Sequence, residues 1–356
     1  MEVLLTRLFE VYMDNNFNLE ASVISDDIKV KKGRFAYNIS AFGLFLFGII
    51  STFFQIIMQI ALIILSKGDP SIASSDWANY VLILIPMYVI AFPLTMLFFR
   101  IAPKAPFDKK KIPVSKLISY FVMMIPLTLL LNIFSILLAS ALSDGSATNP
   151  LNDLVTEVNI WQIGTVVVLA PIVEEMIFRK FVIDRTRQYG EMLSLIFSAL
   201  CFSLFHMNIF QIFYAFALGL LLAYIYIRSG NIRYTIGLHM AFNFWGSVIP
   251  LTIGSLVSDE VLSSLQSSDA ATVIQTLSPE QISGIAIYGM YILAELILFI
   301  AGIILWINSF AKKEFRIEQA SMELPKGRRF KTAFVTIGFG FFLALCLYGT
   351  ITTFLA

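Results

Sequence analysis

The chain has 356 residues, 58% of them hydrophobic and 14% charged, with a formal net charge of +1 and a mean hydropathy of +0.81. Soluble domains carry roughly 25% charged residues, so this composition excludes an ordinary soluble protein and indicates a chain that crosses a membrane several times. Near-neutral charge gives no sign of nucleic-acid binding.

Residues 1–36 read as a cytoplasmic N-terminal segment. Leu4, Leu5, Leu8, Phe9 and Tyr12 recur at helical spacing, which predicts a short amphipathic helix on the membrane surface, with a frayed tail as the alternative. No secretory signal peptide is expected, because the first apolar run starts near Tyr37, behind Lys29, Lys31, Lys32 and Arg34, and is too long for a signal core.

A bilayer-crossing helix needs about 20 mostly apolar residues. On that measure residues 37–356 form an all-α, polytopic transmembrane bundle of about eight to nine spans. The candidate spans are 37–66, 78–100, 116–142, 161–183, 191–208, 211–228, 233–254, 285–310 and 332–355. Lys and Arg concentrate before the first span and after the second, fourth, sixth and eighth, whereas loops 143–160 and 255–284 hold none. The positive-inside rule then places the N-terminus in the cytoplasm and the acidic, Ser-rich 255–284 loop outside. Pro86, Pro93, Pro126 and Pro171 fall within spans, where each is expected to kink a helix and free a carbonyl. Cys201 and Cys346 lie in apolar segments with neither metal spacing nor a disulfide framework.

The stretch from Ala170 to Arg179 puts Glu174 and Glu175 side by side inside an apolar run. A charge at the centre of a bilayer costs roughly 2.5–3.5 kcal/mol even on the lenient insertion scale, so intramembrane carboxylates ask for a reason. Glu175 and Arg179, four apart on a helix, read most simply as a structural ion pair. Glu174 points about 100° away and needs another partner. The two histidines, His206 and His239, lie in apolar segments downstream, and His239 shares a helix face with Asn243. Glu295, in the eighth span, is a further carboxylate with no motif around it, either structural or in contact with substrate.

Together these groups can hydrolyse a peptide bond without a covalent intermediate. A carboxylate and an imidazole can deprotonate water. A second imidazole and a carboxamide can donate to the oxyanion. No Gly-x-Ser-x-Gly and no His-Glu-x-x-His is present. A non-catalytic binding or immunity scaffold could use the same cluster, and Glu174, His206 and His239 could supply a two-histidine, one-glutamate zinc site. By simple counting along the helices, His206 and His239 stand several ångströms out of level, a gap that tilt or a kink at Pro171 would have to close.

Glu174-Glu175-x-x-x-Arg179, Phe202-x-x-x-His206 and His239-x-x-x-Asn243, in that order, resemble the signature of the CPBP family of intramembrane glutamic endopeptidases, over roughly 160–250. The family includes type II CAAX prenyl endopeptidases and bacterial bacteriocin-processing or self-immunity proteins. The resemblance implies a metal-free, multi-pass protease of the cell membrane acting on a membrane-associated peptide or protein. In it Glu174 and His206 would activate water, His239 and Asn243 would stabilise the oxyanion, and Glu175 and Arg179 would hold the site together. The short loops and compact size look bacterial.

Overall fold

A computed structural model describes residues 25–355 except 68, 74, 151–157, 259–260, 262 and 265–276. The expected amphipathic helix near Leu4 to Tyr12 and most of the 255–284 loop lie outside the described residues.

The described residues are helical and contain no strand. The principal helices are α1 (Asp26–Leu65), α2 (Trp77–Phe99), α3 (Val114–Leu142), α4 (160–186), α5 (Glu191–Phe205), α6 (Ile209–Ser229), α7 (Ile232–Gly254), α8 (Pro279–Ala311) and α9 (Ile337–Leu355). Seven of them, all but α4 and α5, stand out as long and apolar enough to cross a membrane among the described residues. Helix α4 is a continuous helical run that carries the Glu pair, and α5 is apolar but has only 15 residues.

Two of the boundaries that differ from the sequence expectation do so for a clear local reason. Helix α1 begins at Asp26, well before the apolar run, because the Ser25 side chain caps it by accepting from the Ile28 N–H and Asp26 and Asp27 sit in its first turn. The last span is interrupted at Val335 and Thr336, so that 329–334 is a separate short helix. Arg34 of α1 donates to the Val335 carbonyl at 3.1 Å, and the Gly338 N–H donates to Asn38 Oδ1 at 2.8 Å, so the break is satisfied by α1.

Helix α4 packs between two apolar clusters. One joins α1, α2, α5 and α9 through Tyr37, Phe47, Phe99, Phe178, Phe197, Phe202 and Phe342. The other joins α3, α6 and α7 through Met123, Leu222, Tyr226 and Leu238. Helices α5 and α6 form a tight hairpin: a Cβ placed on Gly219 would lie 3.1 Å from the Ala199 Cα, so any larger residue would push the two helices apart by a few tenths of an ångström. The exposed faces of α1 and α8 are aliphatic, with Ile60, Ile63, Ile64, Leu296, Ile297 and Ile304 all more than half exposed, the reverse of a soluble surface.

The basic loops gather in one layer. Ala105 donates from its backbone to the Asp184 carbonyl at 2.8 Å and Lys110 to the Ser229 carbonyl at 2.8 Å. Met322 and Leu324 bind the Gln188 and Tyr189 carbonyls at 2.9 and 3.1 Å. Arg228 pairs with Glu191 and, at 2.8 Å, with Glu318. The loops that the charge pattern assigns to a single side of the membrane thus bond to one another.

Four stretches are wound as π-helix: Leu84–Ala91, Ile163–Leu169, Met176–Ile183 and Phe244–Val248. Three of them end two residues before a proline, at Pro93, Pro171 and Pro250. A proline ring crowds the preceding turn and offers no N–H, and a widened turn relieves both problems. The π winding at Met176–Ile183 has no such proline and carries Arg179.

Candidate active site

Four of the charged or titratable groups picked out by the sequence meet on the inner side of α4 and α7. Glu175 and Arg179 are fully buried and form a two-pronged pair, Nε to Oε2 at 3.0 Å and Nη2 to Oε1 at 3.2 Å. The third arm of the guanidinium, Nη1, donates to Ser198 Oγ at 3.0 Å, and Ser198 in turn donates to the Phe178 carbonyl at 2.8 Å. Burying a guanidinium and a carboxylate is tolerable only when each has such partners.

His239, on α7, bridges both glutamates. Its Nδ1 lies 3.1 Å from Glu175 Oε1, and its Nε2 lies 3.6 Å from Glu174 Oε2. Glu175 is occupied by Arg179 and accepts from Nδ1–H, which turns Nε2 toward Glu174. At 3.6 Å this second contact is longer than a hydrogen bond, and Nε2 can donate only when the ring carries both protons. With both protons on His239, two carboxylates balance two cations. Thr235, one turn earlier on α7, also faces Glu175.

Glu174 is only half-buried, unlike Glu175. Tyr88 of α2 and Tyr214 of α6 lie within electrostatic reach of its carboxylate. Tyr214 belongs to a polar chain that caps the α5–α6 turn: Gln211 donates to its hydroxyl at 2.9 Å, Asn208 to Gln211 at 3.1 Å and to Asn149 at 3.0 Å.

His206 sits at the C-terminal cap of α5, half-buried. Its Nδ1 bonds the Phe202 carbonyl at 2.9 Å. A carbonyl only accepts, so Nδ1 carries a proton, and in the neutral ring Nε2 keeps its lone pair. The Phe202 ring is the hub of the cluster: His206 meets it edge-on at 4.9 Å, His239 at 5.7 Å, and the Arg179 guanidinium lies 5.1 Å from its centroid. The two imidazoles therefore flank one aromatic ring, and no hydrogen bond or ion pair joins His206 to Glu174 or His239 among the described residues.

Asn243 is tied to α4 rather than to the histidines or carboxylates. Its Nδ2 donates to the Val166 carbonyl at 2.8 Å. In the preceding π turn the Ala170 N–H reaches back five residues to Thr165. The next such donor, for Val166, would be residue 171, which is proline. One amide proton of Asn243 fills that vacancy and the other has no protein partner among the described residues.

Glu295 accepts from Trp245 Nε1 at 2.8 Å and from the Tyr291 hydroxyl at 2.9 Å, both on the same oxygen. It ties α8 to the helix bearing Asn243. Glu174, His206 and His239 do not come together as ligands; no group of three or more His, Cys, Asp or Glu among the described residues is arranged to hold a metal ion.

Sequence reasoning passed over Ser198, Thr235, Tyr88, Tyr214 and Trp245. Ser198 and Thr235 had a signal: each stands four residues before a motif residue, Phe202 and His239, on the same helix face. The tyrosines come from α2 and α6 by tertiary packing, and local spacing does not mark them.

Residues 156–245 match the family model described as type II CAAX prenyl endopeptidase Rce1-like. No curated protein and no solved structure matches the chain. The matched segment holds Glu174, Glu175, Arg179, His206, His239 and Asn243 and runs through multi-pass helical structure. That match covers about a quarter of the chain, and over it the sequence is similar to the CPBP family of intramembrane endopeptidases.

Proposed function

We propose that this protein is a CAAX-type intramembrane endopeptidase of the cell membrane that hydrolyses a peptide bond in a membrane-associated peptide or protein. Water bound beside Glu174 gives a proton to that carboxylate, and its oxygen attacks the scissile carbonyl carbon. His206, with its free Nε2, shares in removing the proton. His239 and the unspent amide proton of Asn243 donate to the tetrahedral oxyanion. The C–N bond then breaks as the proton passes to the leaving amine. Glu175 and Arg179 are positioning residues: they fix His239 and keep a buried charge pair satisfied.

The observation that carries this reading is the His239 bridge. One imidazole held by a fully neutralised carboxylate and turned toward a second, half-exposed carboxylate is a proton-handling pair, and it lies inside the segment matching an endopeptidase family. A passive lipid or peptide scaffold has no need of it.

The test uses full-length protein in liposomes and a membrane-tethered fluorogenic peptide, with and without a prenylated C-terminus. Glu174→Gln and His206→Ala should each lower cleavage roughly 10²–10⁴-fold without changing folding. Undiminished cleavage in either variant rejects the mechanism, and the two peptides show whether a prenyl group is recognised.

A further inference from the structure

The loop after α2 and the inner end of α4 line an open pocket of about 330 Å³, bordered by Arg100, Lys104, Lys180, Phe181, Asp184 and Arg185. It lies in the layer of basic loops, away from the Glu pair.

Its charges do not balance: four cations face one carboxylate. Lys180 is paired with Asp184 at 3.0 Å. Arg185 is spent on helix ends, donating from Nε to the Phe99 carbonyl at 2.6 Å and from Nη1 to the Phe181 carbonyl at 3.1 Å. Asp184 is further occupied by the Tyr226 hydroxyl at 2.7 Å. Arg100 and Lys104 are exposed and have neither an ion pair nor a side-chain hydrogen bond among the described residues. The pocket therefore offers a guanidinium and an ammonium with nothing to hold, in a frame that the other charged groups keep rigid.

The surroundings favour one kind of anion. Leu94, Leu97 and Ile101 are 48%, 57% and 55% exposed along the end of α2, and Leu97 shares a helix face with Arg100. An aliphatic strip running straight into a cationic pocket fits a molecule with acyl chains below a charged head. Basic pockets at the cytoplasmic boundary between membrane helices take phospholipid headgroups in this way. We infer that this pocket is a phosphate site, filled by the headgroup phosphate of an anionic phospholipid of the inner leaflet, with Arg100 and Lys104 as its ligands.

Full-length protein in neutral detergent tests this by native mass spectrometry and thermal unfolding, with phosphatidylglycerol, phosphatidylcholine or inorganic phosphate added. Phosphatidylglycerol should be retained and should raise the unfolding temperature; phosphatidylcholine should do so far less. Arg100→Ala and Lys104→Ala should weaken retention roughly fivefold each, and Arg100→Lys should keep most of it. Both side chains are exposed, so the variants should fold like the parent, which circular dichroism checks. Equal retention by parent and double variant overturns the site. An equal temperature shift with inorganic phosphate keeps the anion site but overturns the lipid as its source. Neither outcome depends on proteolysis, since Arg100 and Lys104 touch none of the groups assigned to it.

Discussion

The Asn243 carboxamide bonds the Val166 carbonyl at 2.8 Å, and that carbonyl is open because Pro171 has no N–H to give it. The proline that widens α4 just before the Glu pair thereby also creates the anchor for α7. Two motifs far apart in the chain are joined by a missing backbone proton.

This relationship gives a double-mutant prediction. Asn243→Ala leaves the carbonyl unpaired and should cost on the order of 1 kcal/mol in stability, as well as activity. Adding Pro171→Ala supplies a backbone N–H and should restore most of the stability but none of the activity. Unfolding in mixed micelles, set beside peptide cleavage, reads the two effects separately. If stability and activity return together, Asn243 is only an anchor.

The Glu175–Arg179 pair should be intolerant of single changes. Arg179→Met strands a fully buried carboxylate and should destabilise by about 3–5 kcal/mol. Arg179→Lys keeps the charge but loses the two-pronged fork and the Ser198 contact, so it should fall between. The combined Glu175→Gln, Arg179→Met protein should be more stable than Arg179→Met alone. Thermal unfolding of the series ranks them.

Gln162, at the outer end of α4, is fully buried, and neither its amide nitrogen nor its oxygen has a partner among the described residues. Replacing an unpaired buried amide with an apolar side chain of similar length removes a desolvation cost. Gln162→Met should leave the unfolding temperature unchanged or raise it. A clear drop would show that the amide is satisfied.

In the basic layer, a hydrogen bond from the Lys116 ammonium, with a second from the Ser309 hydroxyl, holds the Glu314 carboxyl below the usual carboxylate range. A carboxyl whose folded pKa is depressed stabilises the fold above its unfolded pKa and loses that contribution as pH falls through the folded value. Acidification below the ordinary carboxylate range should therefore loosen the link between α3 and the segment after α8. Protection from hydrogen exchange around 312–316, measured against the intrinsic rate at each pH, should fall with acid in the parent, and Glu314→Gln should abolish that dependence.

The polar residues that the structure gathers around α4 and α7 drew notice in the sequence because several repeat every four positions. Phe202 and His206 stand four apart at the end of α5, and His239 and Asn243 four apart on one face of α7, whereas Ser198 and Thr235, one turn earlier on the same faces, were passed over. Span positions and the single side for the basic loops followed from hydropathy and charge. Partner choice was not legible. Counting rises per residue put His206 and His239 at different depths, and the structure bridges that difference with the Phe202 ring rather than with a hydrogen bond. The widened turns answer to prolines visible in the sequence, but which carbonyl they release, and which side chain from another helix takes it, depends on packing. Tyr88 and Tyr214 reach Glu174 only through tertiary arrangement.

Helix α5 starts in the basic layer at Glu191 and stops after 15 residues. That is a rise of about 22 Å, against a hydrocarbon thickness of about 30 Å. For the polar turn at His206 to Asn208 to meet the headgroups at that rise, the lipid beside it would have to dimple inward. Such a dent is cheaper in a thin bilayer than in a thick one. The protein should accordingly be most stable in short-chain phosphatidylcholine and lose stability steadily as the acyl chains lengthen, which a thermal series across lipid lengths would reveal.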